Sequence, residues 1–147
     1  MKGINYLLLV GFTVVLLSAC SKEKKIEKWL KKGVGEWQVK ANNIKGYKND
    51  TLFWDENFDY PMKFIFDENG NFLKVGYEDD AAEIVSNASI VSGKWTSTED
   101  EILVQTEGGW MLKMKILDIE RKKMKLEYTE GSSSEKYVHT LFLEKEK

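Results

Sequence analysis

The sequence predicts an all-β fold: an eight-stranded antiparallel up-and-down barrel with a short N-terminal helix. Three observations predict it. From Trp37 onward, apolar residues recur at every second position in short runs. Clusters of Gly, Asn, Asp and Ser separate those runs at short intervals. Helical spacing, by contrast, is clear in one stretch only, before Gly33. A meander of eight twisted strands can curl until its first and last strands pair, which removes both exposed edges. Such a barrel leaves an interior that side chains fill or that holds one small ligand.

Each element follows from its residues. Ser21 to Lys32 reads as a tether running into a short helix, because Ile26, Trp29 and Leu30 fall at i, i+3 and i+4. Gly33 and Gly35 end it. In Glu36–Lys40, Trp37 and Val39 share one face of a strand. Thr51–Trp54 is a candidate ninth strand, followed by a turn at Asp55-Glu56-Asn57 and a further strand stopped by Pro61. Met62, Phe64 and Phe66 alternate, and Asp67-Glu68-Asn69-Gly70 makes a hairpin turn leading into Asn71–Tyr77. Asp79–Ser89 is the one helical interruption: Asp80 and Glu83 have the spacing of a capping box. An irregular strand fits the same residues. Strands follow at Gly93–Thr96, Ile102–Thr106, Trp110–Ile116, Lys123–Tyr128 and Lys136–Leu143. The large inward candidates include Trp37, Phe64, Phe66, Trp95, Trp110, Met114, Met124 and Tyr128.

The N-terminus carries an address. Met1-Lys2-Gly3 is a basic start, Ile4–Leu17 is uncharged, and Ser18-Ala19-Cys20 supplies small residues at a cut site. An apolar run of 14 residues is short of the about 20 that a bilayer-crossing helix needs. Leu17-Ser18-Ala19-Cys20 resembles the bacterial lipobox, in which the cysteine sulfur is acylated and becomes the new N-terminus. This makes Cys20, the only cysteine, a lipid anchor rather than half of a disulfide. Two or more acyl chains hold a protein stably to a membrane. The chain thus divides into a signal peptide (1–19), a lipidated tether and short helix (20–33) and a barrel domain (34–147). One of the 22 basic residues and none of the 24 acidic ones lies in the signal peptide, so the mature net charge is −3. With a single arginine, Arg121, and no concentrated basic face, a nucleic-acid partner is excluded.

Gly35-Glu36-Trp37 is similar to the Gly-x-Trp motif that opens the lipocalin barrel, and Gly93-Lys94-Trp95 repeats it mid-chain. Phe64 to Phe72 resembles the strand, Asp/Asn-Gly turn and strand of lipocalin-like lipoproteins of Bacteroidetes. The order of lipobox, Gly-x-Trp, hairpin, second Gly-x-Trp and strands agrees across nearly the whole mature chain. One departure stands out: lipocalins usually pack the motif tryptophan under an arginine from near the last strand, whereas Arg121 precedes the penultimate one.

The residues for chemistry are few. His139 is the only histidine, on the last strand with Tyr137, Leu141 and Leu143, and reads as half exposed. One histidine and no second cysteine exclude a histidine-rich metal site. Asp67-x-Asn69-x-Asn71 lacks the glycine and glutamate positions of a calcium loop and is a hairpin turn. With no phosphate-binding loop and no nucleophile elbow, no enzyme and no cofactor are expected. The expected function is a lipid-anchored envelope protein, in the outer membrane on its periplasmic or surface face, whose barrel binds a small, partly apolar ligand. Trp37, Phe66, Trp95, Trp110 and Met114 are the lining candidates. The alternative is a non-catalytic interaction module that presents loops such as Asp55–Tyr60 to another envelope protein from a filled barrel.

Overall fold

The computed structural model describes residues 23–32, 35–59, 61–78 and 87–145. The signal peptide, Cys20 and Gly33 lie outside them. Residues 23–31 form helix α1. Nine strands follow: β1 (Glu36–Lys48), β2 (Thr51–Phe58), β3 (Met62–Phe66), β4 (Asn71–Glu78), β5 (Asn87–Ser97), β6 (Glu101–Thr106), β7 (Met111–Ile119), β8 (Lys123–Gly131) and β9 (Glu135–Lys145).

All pairings are antiparallel, and β1 closes the barrel. One edge of β1 pairs with β9 along its length, from Trp37↔Lys145 to Lys48↔Glu135. Its other edge pairs first with β3, from Glu36↔Ile65 to Val39↔Met62, and then with β2, from Asn42↔Phe58 to Lys48↔Thr51. Eight strands, β1 and β3–β9, therefore make the closed ring, and β2 is the extra ninth. It continues the line of β3 beyond the break at Asp59–Pro61, where proline cannot donate to a ladder. The β1–β2 connection is the two-residue turn Asn49-Asp50, both at positive φ, the conformation that matches the twist of hairpin strands.

The floor of the barrel is built around Trp37. Ile26 and Leu30 on α1 are buried against it in the same core as Phe64, Phe66 and Phe72. The Trp37 indole Nε1 donates to the Leu30 carbonyl at 3.2 Å. Lys145, on β9, sets its ammonium 5.0 Å from the centre of the Trp37 ring and donates to the Lys32 carbonyl. Both carbonyls belong to the helix C-terminus, where a cation is favoured. Lys145 thus packs on the motif tryptophan from the last strand, the place where lipocalins use arginine. Burial pushes its pKa down to about 8, with repulsion from Lys32 adding to the effect.

Both motif glycines are required by contact. A β-carbon on Gly35 would overlap the Phe66 carbonyl, and one on Gly93 would overlap the Gln105 carbonyl. The Asp67–Gly70 hairpin forms as expected. The Asp67 carboxylate accepts from the Asn69 and Asn71 backbone N–H groups at 2.8 and 2.7 Å, and Gly70 takes φ +76°.

Several sequence expectations need correction. Trp110 is not an inward strand residue. It ends the turn before β7, its N–H and C=O are both bonded to Thr106, and its side chain is 49 % exposed over Gly108. Asp55-Glu56-Asn57 is not a turn but part of β2, held by Asn43, whose Nδ2 donates to Asp55 and Asn57 at 2.9 and 3.1 Å. Of the helical interruption at Asp79–Ser89, Asn87 to Ser89 belong to β5, and the rest lies outside the described residues.

The two glycine positions provide a stability test. Gly35 and Gly109 both have positive φ, +66° and +83°, but nothing lies within 4 Å of a β-carbon at Gly109. Gly109→Ala should therefore cost only the left-handed strain, about 1–2 kcal/mol. Gly35→Ala should cost clearly more, because the Phe66 carbonyl must also move. Urea unfolding of the two variants measures the difference, and equal midpoints would contradict the close approach.

Candidate functional site

Chain direction places the β1–β2, β6–β7 and β8–β9 turns at the end opposite α1. Which side chains enter the barrel there depends on one irregularity. The β1–β9 register shifts between Val39 and Ala41. Before the shift Trp37 and Val39 point inward. After it Asn42, Ile44 and Gly46 do, opposite Leu141, His139 and Tyr137. The extra residue of such a bulge changes the parity of everything beyond it.

The result is a polar set inside an apolar wall. Asn42 is 5 % exposed. His139 is not half exposed, as the sequence suggested: its side chain is 12 % accessible. Its ring stacks on Tyr128 at a centroid distance of 4.5 Å and an interplanar angle of 8°. The stack follows from the ladder, since Tyr128 and His139 are direct cross-strand partners. Two residues further along β8, Glu130 brings its carboxylate to 3.6 Å from His139 Nε2. On β4, alternation from buried Phe72 puts Lys74 on the inner face, and its positive charge acts on Glu130. His139 holds the Glu130 carboxyl below its usual range, with Lys74 adding to the effect. Burial, and then the charge of Glu130, push the Tyr128 phenol well above its ordinary value, so it remains protonated.

Two polar atoms of this set, Asn42 Oδ1 and His139 Nδ1, are buried without a hydrogen-bond partner among the described residues. A third such atom, Trp95 Nε1, lies in the core near the floor. Unpaired buried polar atoms cost about 1–3 kcal/mol each and are rare in folded proteins. Above the set, Trp54 packs on Phe58 at 5.4 Å and on Tyr137 at 6.2 Å. Among the described residues, no group of three or more His, Cys, Asp or Glu could hold a metal ion.

Four of the five sequence candidates, Trp37, Phe66, Trp95 and Met114, are buried in the core. Trp95 meets Phe66 edge-on at 5.4 Å, and Lys31 of α1 lies 5.6 Å from its ring centre. Trp110 is separate from them, exposed at the far end. The sequence reading missed Asn42, Lys74 and Glu130. Lys74 and Glu130 could have been found by carrying the alternation of Phe72 and Tyr128 two residues on. Asn42 had no such signal, because the bulge hides it.

A closed eight-stranded antiparallel barrel, opened by a Gly-x-Trp strand and floored by a short helix, has an interior that side chains fill or that holds one small ligand. The chain belongs to the lipocalin-like domain family, which matches residues 34–126. Among solved structures, an uncharacterized protein from Bacteroides eggerthii DSM 20697 is similar at 16 % identity, covering 76 % of this chain and 98 % of its own, with a TM-score of 0.45. A deswapped triple mutant of bovine odorant binding protein is similar at 13 % identity, covering 75 % and 71 %, with a TM-score of 0.44. No curated protein gives a significant match.

The Glu130–His139 pair predicts an acid dependence. A carboxylate with a lowered folded-state pKa contributes stability that is complete above its ordinary value, about 4.3, and is lost as the pH falls through the lowered one. Glu130→Gln should therefore flatten the loss of stability between pH 5 and pH 3, two points set by that window. Urea midpoints across the range measure it. An unchanged slope would mean that the pair is not formed.

Proposed function

We propose that this protein is a lipid-anchored cell-envelope protein whose barrel binds one small, partly apolar ligand in the half of its interior opposite α1. The observation that carries the reading is the pair of buried, unpartnered polar atoms, Asn42 Oδ1 and His139 Nδ1, inside an otherwise apolar wall. Ligand sites are concave and mostly apolar, with a few convergent polar groups that fix orientation. Trp37, Phe66, Trp95 and Met114 then form the floor and lower wall of the chamber, and Trp110 stands at its rim. The polar groups orient a guest and carry out no reaction. The anchor is Cys20, supported by the signal-peptide layout and the lipobox-like Leu17–Cys20, and the compartment is the outer membrane of a Bacteroidetes-type envelope.

Ligand binding is tested on the full chain carrying Cys20→Ser, so that no acyl chain competes. Titration with the apolar dye N-phenyl-1-naphthylamine should give saturable fluorescence at one site per chain. Leu141→Trp, which fills the buried inner wall between Asn42 and His139, should abolish it while circular dichroism keeps its strand signature. Absence of any saturable signal in the parent chain would refute the binding reading.

A second reading has its own observation. Leu52 and Phe53 on β2 are 48 % and 53 % exposed, and no strand covers the outer edge of β2 among the described residues. With Trp110 and Met111 also exposed, the far end of the barrel is apolar in a way that suits an envelope protein partner. One experiment on native envelopes addresses both the anchor and this partner. Cys20→Ala should abolish labelling by radioactive palmitate and release the protein from the membrane fraction. Leu52→Ser with Phe53→Ser should retain every co-purifying protein if ligand binding is the function, and lose one if the interaction reading is correct.

A further inference from the structure

The chemistry of the guest can be narrowed, on the basis of the binding reading above. Asn42 and His139 lie on neighbouring strands as diagonal inward neighbours, Asn42 opposite Leu141 and His139 opposite Ile44. Side chains in that relation have β-carbons about 7–8 Å apart or somewhat less, so one small polar group can reach both. The orphaned atoms are both acceptors. On Asn42 it is the amide oxygen. On His139, the Glu130 carboxylate lies 3.6 Å from Nε2, which in the neutral ring favours the tautomer with its proton on Nε2 and makes Nδ1 the acceptor. Glu130 adds a carboxylate at the rim, its side chain 55 % exposed, and by register Glu56, also exposed, lies on the Trp54 and Phe58 face of β2. Among the described residues, the cation acting on Glu130 besides His139 is Lys74.

We propose that the barrel selects apolar ligands whose polar end donates hydrogen bonds, a hydroxyl or a primary ammonium, over those ending in a carboxylate. A donor head satisfies Asn42 Oδ1 and His139 Nδ1 at once and faces Glu130 favourably. A carboxylate brings further acceptors to acceptors and a like charge to Glu130. An ether of the same length places its oxygen there with no proton to give, leaving both atoms unpaired. A buried site built to accept hydrogen bonds discriminates strongly against an analogue that lacks the donor.

The test is displacement of N-phenyl-1-naphthylamine from the full chain carrying Cys20→Ser by four guests with the same alkyl chain: 1-dodecanol, dodecylamine, dodecanoate and dodecyl methyl ether. The alcohol and the amine should displace the dye at concentrations at least about ten-fold lower than the acid and the ether. A stronger preference for the amine than for the alcohol would identify Glu130 as a direct partner of the head group, and parity would leave the two orphan acceptors as the selecting atoms. His139→Phe keeps a ring against Tyr128 and removes Nδ1, and should erase the preference while dye binding persists. Asn42→Leu removes the other acceptor and should weaken the preference, and Asn42→Asp, which keeps an acceptor there, should retain it, which guards against the leucine variant simply failing to fold. If all four guests displace the dye equally, the selectivity proposal fails and the binding barrel stands. If the dye does not bind, the binding reading fails first.

Discussion

The Trp37 indole is where the helix, the first strand and the last strand meet. Its N–H is bonded to the Leu30 carbonyl, its face lies under the Lys145 ammonium, and its edges are buried among the side chains of the floor. Take that ring away and three things are lost together: the donor for the helix end, the platform for Lys145, and the largest side chain filling the space between α1 and the strands. Closure of the barrel depends on the same place, because Trp37 and Lys145 are also ladder partners at the start of the β1–β9 seam. A hydrogen bond of this kind contributes roughly 1 kcal/mol net. Burying the indole contributes more, and its position ties both to the register of the seam.

Above the floor the barrel changes character at one residue. Lys40 is the extra residue of the bulge, exposed to solvent, and it exchanges the faces of everything that follows on β1. Were Lys40 paired in a regular ladder instead of bulged, Ala41 and Asn43 would point inward, and Asn42 would lie outside, where an amide is readily solvated. With the bulge the interior holds an amide, an imidazole and a phenol in a shell of Leu, Ile, Phe and Trp, with the Glu130 carboxylate at the exposed rim and Lys74 partly buried. Such a set is costly to bury half-satisfied, and two of its unpaired atoms converge on neighbouring strands, whereas Trp95 Nε1 stands alone in the lower core.

Most of the barrel was legible in the sequence because its inner face is read by a period of two. The runs Met62–Phe66, Ile102–Thr106 and Lys123–Tyr128 lie within strands β3, β6 and β8 with the inward faces expected, and Asp67–Gly70 turned as its residues require. What failed did so where the period breaks. Trp110 fits the rhythm of Leu112, Met114 and Ile116, yet the chain reverses at Thr106–Trp110 and leaves it outside. Asp55-Glu56-Asn57 has turn composition, but Asn43 and Lys45 on β1 hold it extended. The candidate site was the least legible part, since Asn42 is inward only by virtue of a bulge and the burial of His139 depends on Tyr128, eleven residues away. The missing arginine was a real departure in sequence and a small one in physics. Lys145 supplies the cation from the last strand, though without the planar fork of a guanidinium.

The position of α1 has a consequence for orientation. Three peptide links, at most about 11 Å of chain, separate Cys20 from the first helical residue. If Cys20 carries the proposed fatty chains, the base of the barrel would be kept against the headgroups, and Lys24, Lys25 and Lys28, exposed on the helix, would be placed near them. The opposite end would then be directed away from the anchoring leaflet by the height of the barrel. A guest would enter from the aqueous side or from an apposed membrane, and the protein would receive and release cargo across a gap instead of drawing it out of its own bilayer.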